Sequence, residues 1–255
     1  MPYLKVNDIV LHYIDTGNGF PIVLLHGNGS SLKMYDSEIK YFSKNHRVIA
    51  FDMPGHGKSA VPEQLNIDNF WENCGKTIYS ALYSLNINQF IIIGVGGGTI
   101  AGLYLGIEAK EKVLGIFGDS FEGNTLTLER ANEIVSQRDQ LQRYIFFKLF
   151  NSYLHGSNWK SILKADSDRM LYFAKHRGTF FTETIPIYCP VILSCSAKDE
   201  IIPGIVQKMN DLTKLIPNSQ TVVFEGGKHP SCLSNKKTYR VMVMEFIRNL
   251  TKIND

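Results

Sequence analysis

A glycine-rich segment, residues 94–98, lies between a buried apolar run and a helical pattern. A sharp strand-to-helix turn that presents a catalytic nucleophile needs a small residue two places before and two places after the nucleophile. Gly94 and Gly98 meet this requirement. The position between them is Gly96, which has no side chain to attack with. The spacing is therefore that of a nucleophile site, although the residue type is not.

Two polar residues near the C-terminus each follow a predicted strand. Asp199 comes after the strand at residues 190–195, and His229 after the strand at residues 220–224. Because the carboxyl ends of parallel strands meet at one edge of a sheet, the two side chains can lie close together there. A carboxylate orients an imidazole and stabilises its charged form. Alone, each residue fits a turn or a surface histidine, but together they favour a catalytic dyad.

Two further loops follow predicted strands. Residues 26–30 contain two glycines, which let the backbone turn sharply and point amides at a ligand oxygen. Residues 52–59 end in Gly-Lys-Ser, as a phosphate-binding loop does, but Asp52 stands where that loop requires a glycine. The second segment therefore predicts a structural turn after a strand.

Strand and helix patterns alternate along most of the chain, which predicts a single α/β domain over residues 1–255. Its sheet is expected to be mostly parallel, with helices on both faces. The predicted strands cover residues 3–6, 9–14, 22–25, 47–51, 90–93, 113–117, 190–195 and 220–224. The predicted helices cover residues 30–43, 69–85, 99–109, 205–215 and 237–250.

Residues 122–184 interrupt this alternation with helical periodicity and no strand pattern. We expect this segment to form a helical cap insertion over the carboxyl ends of the strands. Its aromatic residues would then face the cleft and favour an apolar substrate, or simply pack on the sheet. They are Tyr144, Phe146, Phe147, Phe150, Tyr153, Trp159, Tyr172 and Phe173.

Composition excludes several classes of function. The net charge is only +3, and no basic run exceeds two residues, which argues against a nucleic-acid partner. The four cysteines show no metal-ligand spacing, so neither a metal nor a cofactor is expected. No signal peptide or membrane span is visible, which predicts a cytoplasmic protein without a membrane partner. The expected partner is a small-molecule substrate, and the sequence leaves the oligomeric state open.

Five segments in register carry a family resemblance. Residues 26–29, residues 52–59, the turn at residues 94–98, Asp199 and His229 together resemble the α/β-hydrolase superfamily, over essentially the whole chain. The order of turn, acid and histidine is that of the family. The segments are most similar to small bacterial esterase, lactonase and lyase-like members with a helical cap.

The resemblance implies a role for each residue. Gly96 occupies the nucleophile position, Asp199 that of the triad acid and His229 that of the triad base. The backbone amides of Asn28 and Gly97 are implied to form the oxyanion hole. The cap is implied to shape the pocket of a hydrolase that takes a small apolar ester-like or carbonyl substrate.

Gly96 departs from the family, which has serine and less often cysteine or aspartate there. Acyl transfer through this position is impossible without a side chain. Such a glycine arises by natural loss or by deliberate replacement of a serine, and it relieves the backbone strain of the turn. The turn is similar to that of the N-myc downstream-regulated proteins, which are regarded as non-catalytic. The presence of Asp199 and His229 favours a retained activity instead.

Two substitutes for the missing serine are open. Ser120, Ser30 or Ser31 could attack, although none lies in the turn and each is also explained as a loop hydroxyl. Alternatively His229, held by Asp199, could activate water or remove a substrate proton directly.

Two other classes of function remain as alternatives. One is a non-catalytic binding or regulatory protein on a hydrolase scaffold, favoured by Gly96. The other is a dinucleotide-binding oxidoreductase, because residues 96–101 fit G-x-G-x-x-A and Asp119 follows at a plausible ribose-binding position. The second alternative gives Asp199 and His229 no role.

Overall fold

The computed structural model describes residues 2–60 and 67–251. Eight strands form one sheet in the order β1-β2-β4-β3-β5-β6-β7-β8. The β1–β2 and β2–β4 pairs are antiparallel, and the remaining pairs are parallel, which confirms the predicted fold class. The strands are β1 (Tyr3–Val6), β2 (Ile9–Thr16), β3 (Pro21–Leu25), β4 (Arg47–Phe51), β5 (Phe90–Val95), β6 (Val113–Asp119), β7 (Val191–Ser196) and β8 (Ser219–Phe224).

The helices cover both faces of the sheet because the central strands are apolar on both sides. In β3, Val23 and Leu25 pack into the core on one face, while Ile22 and Leu24 pack into the core on the other. The α-helices are α1 (Asp36–Phe42), α2 (Phe70–Ser84), α3 (Gly97–Ala109), α4 (Leu128–Leu141), α5 (Ile145–His155), α6 (Trp159–His176), α7 (Ile205–Thr213), α8 (Ser231–Ser234) and α9 (Lys236–Thr251).

Most of the predicted strand and helix boundaries lie close to those of the structure, with a few local differences. The helix predicted at residues 30–43 is split into a 3-10 turn (Leu32–Tyr35) and α1. The insertion contributes α4, α5 and α6, and its last residues leave the helix, since Thr179 forms an isolated bridge with Thr125. The short helix α8 has no periodic pattern long enough to predict it. In the described part of the chain, no helix has the length and apolarity needed to cross a membrane.

The sheet register brings the chemically interesting loops to one edge. Leu25 of β3 and Gly118 of β6 both pair with Gly94 of β5, so the loops after these strands leave the sheet at one level. Ser196 at the end of β7 pairs with Phe224 at the end of β8. Ligand sites of open parallel sheets lie at this carboxyl edge.

Candidate active site

The turn between β5 and α3 has the geometry of a nucleophile site. Gly96 adopts φ 55° and ψ −128°, a conformation that side-chain-bearing residues rarely take. A Cβ on Gly98 would lie 2.1 Å from the carbonyl oxygen of Leu25, and one on Gly94 would lie 2.7 Å from that of Gly98. Both flanking glycines are therefore required by close backbone contact, as the spacing predicts.

The space at Gly96 is open. A Cβ there would lie 3.3 Å from the Cα of Gly27 and 3.8 Å from the backbone nitrogen of Asn28. The first contact is tight, so a side chain at this position requires the backbone of Gly27 to shift by a few tenths of an ångström. Gly96 also precedes the first turn of α3, whose amides have no acceptor within the helix. The partial positive charge of that helix end favours negative charge at this point.

Gly97 and Asn28 border this space, and two neighbouring residues hold the side chain of Asn28. The indole nitrogen of Trp71 donates to the Oδ1 of Asn28 at 3.3 Å, and the Nδ2 of Asn28 donates to the Sδ of Met170 at 3.1 Å. A Cβ on Gly97 would lie only 1.7 Å from the Oδ1 of Asn28. Gly97 is therefore required because the Asn28 side chain occupies the adjacent volume.

Asp199 and His229 are hydrogen-bonded to each other, as the sequence predicts. The Nδ1 of His229 lies 2.9 Å from the Oδ2 of Asp199. The Oδ1 of Asp199 accepts from the backbone amides of Ile201 and Ile202, both at 2.9 Å. The carboxylate is fully buried, whereas the imidazole is a quarter exposed. With an ionised carboxylate on Nδ1–H, Nε2 is left as the free basic nitrogen.

The dyad favours the ionised acid. Burial would raise the pKa of the Asp199 carboxyl, but the hydrogen bond and charge of His229 and two backbone amides together hold that pKa below its usual value. Glu200 adds a further restraint, since its carboxylate accepts from the backbone amide of His229 at 3.1 Å. The histidine is thus held from its ring and from its backbone.

A cavity of about 440 Å³ lies beside the turn and the histidine of the dyad. Gly96 and His229 line it together with Asn28, and the helices α4, α5 and α6 contribute to the opposite wall. Its size suits a small organic molecule. The wall is largely apolar, with Trp71, Ile100, Leu126, Ile134, Met170 and Phe180 among its residues.

The aromatic residues of the insertion divide into three groups. Phe150 lines the cavity, as predicted for an aromatic cap. Phe173 instead packs edge-on against Trp71 beneath the cavity, and Trp159 is buried beside Phe147. Tyr144, Phe146 and Tyr153 are exposed to solvent. The expectation that these aromatic side chains face the cleft therefore holds for only part of the set.

A buried layer of polar groups supports the loop after β3. The Nε2 of His26 accepts from the backbone amide of Met53 at 3.0 Å, and its Nδ1 lies 2.8 Å from the carbonyl oxygen of Gly27. Complete burial, with the nearby His56, lowers the pKa of His26 to about 3. Asp52 accepts from the amides of Leu32 and Lys58, both at 2.8 Å. Residues 52–59 are therefore a structural turn, not a phosphate loop.

The serines considered as substitute nucleophiles have other environments. Ser120 lines the cavity, but its Oγ accepts from the backbone amide of Ser231 at 2.9 Å. Ser30 also lines the cavity, whereas the Oγ of Ser31 is buried. None of them lies at the start of α3, where the helix end and the amides of Gly97 and Asn28 converge.

Asp119 is not available to a ribose. Its carboxylate is fully buried, accepts from the Oγ of Ser194 at 2.6 Å and from the amide of Cys232 at 3.0 Å, and is also bonded to the hydroxyl of Ser231. Burial raises the pKa of this carboxyl against those hydrogen bonds. Asp119 therefore cannot serve as the ribose-binding acid that the dinucleotide-binding alternative requires. Its hydrogen bonds instead link β6 to β7 and to α8.

One ionic cluster of the cavity wall has no signal in the sequence. Asp166 of α6 is fully buried between His56, at 3.1 Å, and Arg138 of α4, at 2.6 Å. Burial opposes its charge, but Arg138 and His56 hold the pKa of Asp166 well below its usual range. Arg138 lines the cavity. These residues lie far apart in the chain, so neither spacing nor periodicity could have paired them.

No group of His, Cys, Asp and Glu side chains within residues 2–60 and 67–251 is arranged to hold a metal ion. Near Gly96 the cavity is lined by Gly97, Asn28 and His229, and elsewhere by polar side chains that include Ser120, Glu122, Gln137 and Arg138. Such a set suits the addition of an oxygen nucleophile to a carbonyl, in which negative charge develops on the carbonyl oxygen.

Comparison with known proteins agrees with this geometry. Residues 21–166 match the α/β hydrolase fold family, and the chain belongs to that family. Over 95 residues it is 33% identical to an (E)-2-((N-methylformamido)methylene)succinate hydrolase of Acinetobacter baylyi, which covers 37% of this chain and 35% of that enzyme. The chain thus spans about a third of the length of that relative.

Solved structures of the same fold cover nearly the whole chain. An enol-lactonase from Burkholderia xenovorans superposes with a TM-score of 0.73 and 18% identity, covering 97% of this chain and 100% of that one. An esterase from Exiguobacterium antarcticum superposes with a TM-score of 0.76 and 17% identity, covering 96% and 98% of the two chains. At such identities the likeness establishes the fold.

Proposed function

We propose that this chain acts on a small apolar ester-like or carbonyl substrate, and that it hydrolyses an ester-like one without an acyl-enzyme, with Asp199 and His229 activating water in the space above Gly96. The observation that carries the proposal is the hydrogen-bonded dyad, whose histidine lines one cavity with Gly96 and Asn28. The name of the Acinetobacter baylyi relative, a hydrolase, supports hydrolysis, and the structures named an enol-lactonase and an esterase have the same fold.

The chemical steps follow from the polarity of the site. A water molecule in the volume of the absent side chain gives a proton to the Nε2 of His229 while its oxygen attacks the substrate carbonyl. The Asp199 carboxylate stabilises the resulting imidazolium. The amides of Gly97 and Asn28 donate to the carbonyl oxygen as it gains negative charge. His229 then returns the proton to the leaving oxygen, which gives acid and alcohol.

The test is hydrolysis of p-nitrophenyl acetate by the purified chain and by His229→Ala. General-base catalysis contributes roughly 10²- to 10⁴-fold, so the variant should lose most of the turnover above background. His176→Ala is the matched control, since His176 is exposed on α6 and stacks on Tyr172 away from the cavity. Equal rates for the chain and for His229→Ala would contradict the proposal.

A non-catalytic binding protein is the second candidate, and the observation that favours it is Gly96 itself. Glycine relieves a strain of roughly 1–3 kcal/mol at such a turn, so losing the nucleophile stabilises a scaffold that has only to bind. This candidate predicts that small esters bind in the cavity without turnover. Isothermal calorimetry with a non-hydrolysable ketone analogue of the ester, measured beside the turnover assay, separates the two candidates.

A further inference from the structure

The helix α5 has apolar residues on the side that faces solvent. Its inner face is formed by Asn151, Leu154 and His155, which are buried. The opposite side carries Phe146, whose side chain is 82% exposed, and Leu149, which is 60% exposed. A surface helix of a globular domain normally places polar residues on this side, so the apolar outer side of α5 is unusual.

Exposed apolar residues also occur in the segment that connects α4 to α5. We call this region the cap surface. All its members are large apolar side chains that are between 44% and 82% exposed. They are Leu141, Tyr144, Ile145, Phe146, Leu149 and Phe150. Exposed apolar residues are ordinary when scattered, but a contiguous group within ten residues marks an interaction surface.

Basic residues lie within the cap surface, and one acid, the exposed Asp139, lies at its edge and accepts from the side chain of Gln142. Arg143 and Lys148 lie within it and are exposed, and residues 140–165 contain no aspartate or glutamate. At the far end of α5, Tyr153 is bonded to Asp36 and carries the Lys33 ammonium 4.5 Å from its ring centre, so both signs of charge meet there. An amphipathic helix with aromatic residues and basic flanks is the pattern of segments that lie in a membrane interface.

The cap surface also adjoins the cavity. Leu141 and Phe150 are exposed on the outside and line the cavity on the inside. Leu233, which is 44% exposed, lines the cavity from α8. An apolar molecule entering past these residues would not have to cross a charged surface.

We propose that the cap surface docks on an anionic lipid surface, with Phe146 and Leu149 entering the interface and Arg143 and Lys148 contacting headgroups. A second copy of this chain is a poorer partner, because a twofold contact would bring Arg143 and Lys148 of both copies together with only Asp139 at the edge of each to pair with them. This proposal departs from the sequence-based expectation of no membrane partner, which rested on the absence of a membrane span, because peripheral docking requires no spanning helix.

The test is co-sedimentation of the full chain with phosphatidylcholine vesicles, with and without phosphatidylserine. We expect binding to the anionic vesicles, and a reduction of the partition coefficient by more than about tenfold for Phe146→Ser combined with Leu149→Ser. Arg143→Gln with Lys148→Gln should weaken binding to anionic vesicles and reduce its salt dependence. None of these measurements depends on turnover, so they test the docking proposal independently of the proposed function.

Tyr188→Ser is the matched control, because Tyr188 is 78% exposed but precedes β7 at the amino edge of the sheet. It should bind vesicles as the unaltered chain does. Three outcomes would overturn the proposal. They are no binding of the unaltered chain to anionic vesicles, equal binding of the Phe146 and Leu149 double variant, or a dimer in sedimentation velocity that the same double variant dissociates.

Discussion

The turn at Gly96 and the dyad of Asp199 and His229 meet at one cavity, which Gly96 and His229 line, but they differ in the chemical groups they provide. The turn has the backbone geometry of a nucleophile site, with both flanking glycines forced by close contacts, yet it has no reactive side chain. The dyad retains its side chains at 2.9 Å, with the acid buried and held by two amides. Backbone geometry and side-chain chemistry are therefore separable in this fold.

The physical reason lies in what each part contributes to folding. The turn is built from close backbone contacts at Gly94 and Gly98, which the packing of α3 against the ends of β3 and β5 requires whatever residue stands between them. A buried carboxylate such as Asp199 destabilises the fold unless it is paired. An apolar residue in place of Asp199 would avoid this cost in stability. The presence of Asp199 beside His229 is therefore a stronger sign of chemistry than the geometry of the turn.

The largest expected effect is on the backbone of the turn. Gly98→Ala would place a Cβ 2.1 Å from the carbonyl oxygen of Leu25, and we expect a loss of about 3 kcal/mol or more in the free energy of unfolding. Urea denaturation measures it. Gly226→Ala is the control, since no atom lies within 4 Å of its added Cβ. Similar stabilities for the two variants would show that the turn is not tightly packed.

Restoring the nucleophile is expected to have the next largest effect. Gly96→Ser should lower the free energy of unfolding by roughly 1–3 kcal/mol, because serine must adopt φ near 55°. The same variant should react with a fluorophosphonate probe, since His229 can take the serine proton and the amides can hold the oxyanion. A folded variant that stays unlabelled would mean that more than the nucleophile is missing.

The third prediction concerns the pH dependence of stability, to which the buried His26 contributes. Its pKa of about 3 when folded lies below its ordinary 6.5, so the unfolded chain binds a proton first as the pH falls. Stability should therefore decrease from pH 6.5 downward, by up to about 1.4 kcal/mol per pH unit from this residue. Urea titrations at pH 4.5–6.5 should show a smaller slope for His26→Gln, and an unchanged slope would contradict the burial of a neutral imidazole.

The smallest expected effect concerns the Asn28 side chain. Trp71→Phe keeps an aromatic ring in place but removes the N–H group that donates to the Oδ1 of Asn28. Such a hydrogen bond typically stabilises a folded protein by about 1 kcal/mol. We expect an ester turnover about tenfold lower with little change in KM, because the Asn28 amide acts when charge develops on the carbonyl oxygen. A change confined to KM would instead indicate that Trp71 serves as a wall of the cavity.

The sequence predicts the fold well because its signals are local. Each of the eight strands has an apolar run bounded by turn residues, and alternation between the two faces is visible in β3. The helix expected at residues 30–43 is split in the structure. The reason is that the carboxylate of Asp52 accepts a hydrogen bond from the amide of Leu32, at the start of a 3-10 turn. That contact joins residues 20 apart and has no periodic signature.

The site is predictable where a motif fixes it and unpredictable where packing does. Asp199 and His229 follow consecutive strands, so their meeting can be expected from parallel topology. The contact between Trp71 and Asn28 and the burial of Asp166 beside Arg138 depend on how α2, α4 and α6 pack over the loops. Such contacts between distant residues cannot be deduced from residue spacing.

The most direct test of the account is stopped-flow hydrolysis of p-nitrophenyl acetate by the unaltered chain, combined with intact-mass measurement during turnover. Direct attack by water predicts steady release of p-nitrophenol without a burst and without an acetylated protein, and His229→Ala should abolish the release. A burst with an acetyl group on Ser120 or Ser30 would contradict direct water attack. So would the complete absence of turnover, which would leave the binding protein as the better account.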